Sequence, residues 1–373
     1  MVRVLYILSW GLHLGGGETT IMNYYRNIDR TKVQFDFLIT DDGDDKHYYE
    51  DEARSLGANL YRRPSVKKSL VKYIFSLRNI LKENPEIKII HIHDAVPLNP
   101  AMDAFCAKLA GISVRIIYSG SDVRTLKIKH QKFFQPIARA LATHCFAGSV
   151  EAGVSMFGEK ARNKITILPR ARELEKFRYN SNQRSIIREK MSIGNNTVII
   201  HVGRLFTVKN HMFLLEAFAQ ALEKNPRLLL LLAGTGELMP ELVEMAERLQ
   251  LGESIRFLGQ RNDIHDLLQA ADIFVLPSVH EGFPGAAIEA QAAGLPCLLS
   301  DTITSAIKVT SPVEFLPIDK GSKIWAERMS AYQGFKRCDT IEEVRQAGYD
   351  IKDAARWLEK LYIDALIGFD DYK

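Results

Sequence analysis

The sequence predicts an α/β protein built as two Rossmann-like, doubly wound parallel-sheet domains. Three observations carry that prediction. Short β-branched and apolar runs alternate with longer amphipathic stretches along the chain. The apolar runs are continuous, as strands covered on both faces require. The alternation also starts afresh near Thr197, so the 373 residues divide into two series, consistent with roughly 100–200 residues per domain.

The elements follow in order. VRVLYIL (2–8), FDFLIT (35–40), KIIHIH (88–93), VRIIYS (114–119) and THCFAG (143–148) read as strands, with helical stretches at 18–28, 66–83 and 99–110 between them. Around 170–195, RARELEKFRYNSNQRS is polar and loses its periodicity, which predicts a linker. TVIIHVG (197–203), RLLLLLAG (227–234), SIRFLG (254–259), DIFVLP (272–277) and PCLLS (296–300) form the second series, with helices near 210–224, 239–249, 262–270 and 285–293. Residues from Asp350 to Ile367 make one amphipathic helix. The expected domains are therefore 1–175 and 176–348, followed by a terminal helix within 349–373. Ligands are expected at the carboxyl ends of the strands.

Composition narrows the function classes. With 46% hydrophobic and 25% charged residues the chain is an ordinary globular mix, and a formal charge of +4 excludes a strongly basic nucleic-acid binder. That charge is divided unevenly. Residues 1–170 carry 25 Lys and Arg against 17 Asp and Glu, and the remainder carries 24 against 28. A basic first half hints at an anionic partner on that side. Cys106, Cys145, Cys297 and Cys338 form no CxxC pair, which fits a reducing compartment and argues against a zinc ribbon. No run reaches the ~18–20 apolar residues of a membrane helix. The apolar N-terminus lacks a cleavage site and runs into GLHLGGGE, so a cytoplasmic location is expected.

Three loops could carry chemistry. The first strand ends in GLHLGGGETT, where Gly16 and Gly17 let the backbone approach a ligand at a helix N-terminus. The dinucleotide fingerprint fails there, and a plain tight turn is the competing reading. In HVGRLFTVKNH, Gly203 and Arg204 follow a strand and Lys209 stands at a helix start. Two cations beside that helix end suit a diphosphate, although a solvated loop pair would look the same. SVHEGFPGAAIEAQAAGLP is the strongest segment. Glu281 stands in the loop after a buried strand, and Gly282 and Phe283 follow it. Pro284 fits a first helical turn, and Gly285 and Ala286 would present amides to a phosphate. Glu289, eight residues after Glu281, falls inside the new helix. Two carboxylates so placed suit two groups of sugar hydroxyls, against the alternative of one helix-terminal and one surface acid. The acidic run Asp41-Asp42-Gly43-Asp44-Asp45 reads as a solvated loop and not as a metal-binding DxD.

EGFPGAAIE resembles the E-x7-E signature of the family-4 retaining glycosyltransferases. GGGE, VGRLxxxKN and AGTGEL occur in that family's order along nearly the whole chain, and EAQAAGLPCLLSDTIT is especially similar to bacterial capsule and exopolysaccharide glycosyltransferases. The resemblance implies a GT-B fold, two Rossmann domains facing across a cleft with the C-terminal helix crossing back to the first. It implies a nucleotide-sugar donor, UDP-linked, on the second domain and a glycan or lipid-linked acceptor on the first, with no cofactor and no metal. Carried over by position, Arg204 and Lys209 would hold the diphosphate as it leaves, and Glu281 would contact the donor sugar. Amides near Phe283 to Ala286 would contact sugar and phosphate, and Glu289 the ribose. Arg261 to Ile264 would flank the base, and Gly16 and Gly17 would approach the diphosphate from the other domain. Retention makes the paired-carboxylate geometry of glycosidases the wrong template for Glu281 and Glu289.

Two loops depart from the family pattern. Where relatives have a histidine in an HSHN-like string, this chain reads Tyr118-Ser119-Gly120-Ser121-Asp122. Where they have PNGID-like residues, it reads Pro169-Arg170-Ala171-Arg172-Glu173. His13, His91, His93 and His130 are the candidate substitutes. A non-catalytic sugar-nucleotide-binding protein and a sugar-nucleotide 2-epimerase, both of this architecture, are the alternatives. An anionic membrane surface is a further expected partner, with the chain peripheral on the inner face of the membrane. Arg62, Arg63, Lys67, Lys68 and Lys72 cluster on one amphipathic stretch, and Arg124, Lys127, Lys129 and Lys132 near Phe133-Phe134.

Overall fold

The computed structural model describes residues 1–13, 15–40, 43, 46–120, 131–281 and 283–370, with residues 369 and 370 as backbone only. Residues Asp41, Asp42, Asp44, Asp45, Ser121, Asp122, Arg124, Lys127, Lys129, His130 and Gly282 of the sequence reading lie outside the described residues. The chain divides into two units, one of Met1–Ala171 with Ile351–Lys373 and one of Arg172–Asp350.

Among the described residues the first unit holds seven strands: β1 (Val2–Leu8), β2 (Val33–Thr40), β3 (Leu60–Arg63), β4 (Ile87–His93), β5 (Val114–Ser119), β6 (His144–Ala147) and β7 (Ile165–Ile167). They are ordered β3-β2-β1-β4-β5-β6-β7 with parallel pairing throughout. Because side chains alternate across a strand, Val4, Tyr6 and Leu8 pack with Phe35 and Ile89 on one face, while Leu5 and Ile7 pack with Leu38 and Ile90 on the other. The first face is covered by helix Gly16–Asn27 and by the terminal helix Ile351–Asp370. The terminal helix buries Ile351, Ala355, Leu358 and Tyr362 at helical spacing. Tyr362 Oη lies 2.7 Å from Tyr6 Oη and 2.7 Å from His91 Nδ1, so its hydroxyl is satisfied inside this core. The second face is covered by helices Leu70–Glu83 and Leu98–Leu109.

The second unit holds β8 (Thr197–Val202), β9 (Leu228–Ala233), β10 (Ile255–Gly259), β11 (Ile273–Leu276), β12 (Cys297–Ser300) and β13 (Val313–Leu316). Their order is β10-β9-β8-β11-β12-β13, again parallel. In both units the order reverses beside the first strand, between β1 and β4 and between β8 and β11, and the crevice outside such a reversal is where open α/β sheets bind ligands. Val198 and Ile200 pack beneath helices Ile264–Ala270 and Gly285–Ala292, and Ile199 packs beneath His211–Lys224 and Lys323–Ala331.

The stretch 170–195, read as a linker, contains helix Ser181–Lys190. The Asn180 side chain caps that helix, accepting from the Asn182 and Gln183 amides. Arg184 and Arg188 bind Asp272 and the carbonyls beside it, so this helix is anchored by guanidinium groups more than by an apolar stripe. The unit boundaries fall at Ala171/Arg172 and Asp350/Ile351, a few residues from the expected 175/176 and 348/349. The basic cluster at 62–72 is also not all surface. Arg63 is fully buried, forks onto Asp103 at 2.6 and 2.8 Å, and lies over the Tyr73 ring, while Arg62 pairs with Glu50. Among the described residues no helix is long and apolar enough to cross a membrane, and no three or more metal-ligating side chains cluster.

Candidate functional site

The loops after β8 and β11 leave adjacent strand ends at the reversal in the second unit. They are joined directly, since the Val279 amide donates to the Val208 carbonyl at 2.9 Å. This brings together two cationic and anionic candidates 72 residues apart in sequence. Lys209 Nζ donates to Glu281 Oε1, and the same oxygen accepts from Ser278 Oγ at 2.8 Å. Ser278 is buried and held in turn by Thr302, whose hydroxyl donates to its carbonyl. Asn210 adopts a left-handed conformation (φ 60°) that turns the chain from Lys209 into helix His211–Lys224, whose N-terminus has no side-chain cap.

Arg204 is exposed, with its guanidinium 4.7 Å from the centroid of Phe206. Gly203 sits under the AGTG turn. A Cβ on Gly234 would collide with the Gly203 carbonyl, so this close backbone approach is possible only for glycine. Beneath Lys209, buried His201 and His211 stack edge-on at 4.5 Å between ring centroids. Burial, with the Lys209 charge nearby, holds both imidazoles below their ordinary pKa, His211 down to about 4. Both are neutral at pH 7, so Lys209 faces no second cation from below.

Phe283 is buried against Tyr349, with ring centroids 5.5 Å apart, and Pro284 starts helix Gly285–Ala292, which also has no side-chain cap. Ala286 lies in its first turn. Glu289, one turn in, accepts from Arg172 Nε at 2.5 Å. Arg261 is exposed and forks onto Asp263 after β10, and Ile264 opens the next helix. Gly16 and Gly17 open helix Gly16–Asn27 after β1, in the first unit. The structure therefore joins Lys209 with Glu281 and places Gly203, Arg204, Phe283 to Ala286, Glu289, Arg261 and Ile264 in the second unit.

The described residues 118–120 and 169–171 of the two departing loops meet inside the first unit. Arg170 Nη2 donates to the Gly120 carbonyl at 2.8 Å, and the Pro169 carbonyl accepts from Tyr24 Oη. Of the candidate histidines, His91 and His93 are buried in β4, where burial pushes His93 down to about 3, and exposed His13 lies against His47 with the rings tilted and their centroids 4.0 Å apart. Sequence reasoning did not single out Ser278 or His211, and it named Arg172 only as part of a departing loop. Ser278 directly follows a buried strand, which was a usable signal. The partner of Arg172 lies 117 residues away, which no local pattern reveals.

A family model described as "Glycosyl transferases group 1" matches residues 183–314. EpsF of Bacillus subtilis (strain 168), named as a glycosyltransferase, is 35% identical over 96% of this chain and 96% of its own length. The chain belongs to the group 1 glycosyltransferases. The UDP-Gal:alpha-D-GlcNAc-diphosphoundecaprenol alpha-1,3-galactosyltransferase of Escherichia coli is 27% identical over 77% of this chain and 76% of that protein. The crystal structure of Anabaena Alr3699/HepE in complex with UDP and glucose shares the fold, with a TM-score of 0.71 at 17% identity, covering 100% of this chain and 98% of that one. The glycosyltransferase thus has the GT-B architecture of two Rossmann-like parallel-sheet domains. Its family-matched span contains Arg204, Lys209, Glu281 and Glu289, and both uncapped helix ends lie within it. A group 1 glycosyltransferase with that set can gather negative charge at the sheet reversal, since side-chain cations and helix ends both favour anions there.

Proposed function

We propose that the second unit binds a UDP-linked sugar and that the protein transfers this sugar, with retention of configuration, to a glycan or lipid-linked acceptor. The observation that carries the reading is the Lys209–Glu281 pair set between two uncapped helix ends at the β8/β11 reversal. Glycosyl transfer puts positive charge on the sugar and negative charge on the departing diphosphate. Lys209 and Arg204 are cations for the second, and donors already fixed in place lower the barrier because they need not reorganise during the reaction. Glu281, positioned by Lys209 and Ser278, takes the sugar hydroxyls, and Glu289 the ribose. Arg261 and Ile264 flank the base. No metal enters this reading, because the charge that a metal would bring is supplied by side chains, and Glu281 is already engaged by Lys209. The Escherichia coli relative, whose name gives a UDP-galactose donor and a diphosphoundecaprenol-linked acceptor, supports both substrate classes.

An anionic membrane as partner is supported by the first unit. Residues 64–82 contain five basic residues and no acidic one. Lys67, Lys68, Lys72, Arg78 and Lys82 are exposed there beside exposed Val71 and Phe75, and Phe105 and Leu109 of the neighbouring helix are exposed as well. The deciding experiment incubates purified protein with a panel of nucleotide sugars and lipid-linked acceptors. Release of nucleoside diphosphate with a glycosylated product is expected. Binding without turnover on every acceptor would favour the non-catalytic alternative, and interconversion of the donor sugar without transfer would favour the epimerase.

A further inference from the structure

We propose that His201 is a positioning residue for Lys209, and that its Nε2 is the seat the Lys209 ammonium takes when a donor engages Glu281. This rests on the donor reading above and adds to it a buried side chain which that reading leaves unused. Three observations meet at this ring. His201 is fully buried near the end of β8, and its Nδ1 lies 2.9 Å from the Val275 carbonyl in β11. A carbonyl only accepts, so Nδ1 carries the proton, and in the neutral imidazole Nε2 is left as a lone-pair acceptor. That Nε2 is buried and meets no donor among the described residues. It also faces Lys209, because a Cβ on Gly203 would stand 3.2 Å from His201 Nε2 and 3.3 Å from Lys209 Cε. Both atoms thus border one small gap, which stays open because residue 203 has no side chain. His211 lies edge-on against the ring at 4.5 Å and does not satisfy Nε2, since neither of its own ring nitrogens has a partner among the described residues.

A buried acceptor left without a donor costs stability, so its persistence in a core calls for a use. Lys209 supplies the donor. Its Nζ rests on Glu281 Oε1, which also accepts from Ser278 Oγ at 2.8 Å. A carboxylate offsets the charge that a diphosphate needs from Lys209, and the donor reading gives Glu281 to the sugar hydroxyls. Once Glu281 is so engaged, the ammonium needs an acceptor that fixes its direction and leaves its charge whole. A neutral imidazole does both, whereas a second carboxylate would compete with the phosphates. Because Cε already borders the gap, turning the end of the side chain carries Nζ into it without backbone movement. An ammonium has three N–H groups, so one bond to Nε2 leaves two for diphosphate oxygens. The strands hold the seat in place. The β8–β11 ladder pairs Ile199 with Ile273 and Ile200 with Phe274, and the His201–Val275 bond extends it by a side chain at the sheet reversal.

Calorimetric titration of the full chain tests this, with the nucleoside diphosphate that wild type binds best among UDP, GDP, ADP, CDP and dTDP, and with the matching nucleoside. His201→Phe should weaken the diphosphate about three- to tenfold, the scale of one hydrogen bond, and leave the nucleoside unchanged. His201→Gln, which keeps an acceptor near the place of Nε2, should recover most of that loss. In a Lys209→Met background His201→Phe should cost nothing further, because the group it positions is gone. Gly203→Ala fills the gap while keeping both side chains, so it should reproduce the His201→Phe pattern even if His201→Phe fails to fold. Equal losses for diphosphate and nucleoside, or the same loss with and without Lys209, would make the histidine a packing residue only. Either result overturns the proposal, as does wild-type affinity in His201→Phe. Wild-type protein that binds none of the five diphosphates would instead refute the donor reading, and this inference with it.

Discussion

Replacing Lys209 by Met deletes one member of the pair at the sheet reversal, and its two effects can be measured apart. The Lys209 and Glu281 side chains are 18% and 12% exposed. That lies between a surface pair, worth ~0–1 kcal/mol, and a fully buried one, whose breaking costs ~3–5 kcal/mol. Ser278 still donates to Glu281 in the variant, so a stability loss of about 2 kcal/mol is expected. At roughly 2–4 °C per kcal/mol for a unit of this size, Tm falls by about 4–8 °C and the protein stays folded at 25 °C. The effect on transfer is larger, because a preorganised group on the leaving charge contributes roughly 10²–10³ in kcat. Circular dichroism checks the fold, and nucleoside diphosphate release at saturating donor gives kcat. A folded Lys209→Met variant with kcat within about tenfold of wild type would refute the assignment of Lys209 to the leaving group.

Other consequences can be measured independently. Arg63→Met strands Asp103 in the core of the first unit and should cost about 3–5 kcal/mol in urea unfolding; a loss below ~1 kcal/mol would contradict the burial of that pair. His211 has a folded pKa of about 4 against an ordinary value near ~6.5. Its stabilising effect is full above pH ~6.5 and is lost as pH falls towards about 4, because only the unfolded chain takes up the proton in that window. The loss is about 3 kcal/mol, and His211→Phe should flatten this part of the acid decline in ΔG; an identical pH profile would show that His211 titrates normally. Lys67, Lys68, Lys72 and Arg78 changed together to Ser should weaken binding to phosphatidylglycerol vesicles by about 4 kcal/mol, at ~1 kcal/mol per charge. Flotation insensitive to both salt and these substitutions would remove the membrane surface.

The strands legible in the sequence are chiefly those buried on both sides, such as VRVLYIL and TVIIHVG, where continuous apolar runs leave little choice. The strands that escaped are β3, β7 and β13, and each is a sheet edge. An edge strand has one neighbour and can carry charge. LYRR hides Arg63 in an ion pair, and VEFL presents Glu314 to Arg328. Helix Ser181–Lys190 escaped for a related reason, because Arg184 and Arg188 dock it through hydrogen bonds that no apolar period announces. At the site, Lys209 and Glu281 were readable because each follows a strand end by a few residues, and parallel sheets collect such loops on one side. Arg172 was readable only as a departure from the family pattern. What it touches depends on the fold bringing 172 beside 289.

The route of the chain has a consequence for synthesis. The core of the first unit includes Ile351, Ala355, Leu358 and Tyr362, yet residues 172–350 are translated before any of them. The unit begun first is therefore finished last. During the roughly 10–40 s needed to make the intervening 179 residues at ~5–20 residues per second, its β1–β4 face waits without the helix that covers it. The second unit has no such debt to later sequence, and its ends are already joined by the Arg172–Asp350 bridge. Nascent chains stalled after Asp350 should hold a protease-resistant second unit beside an incompletely protected first one.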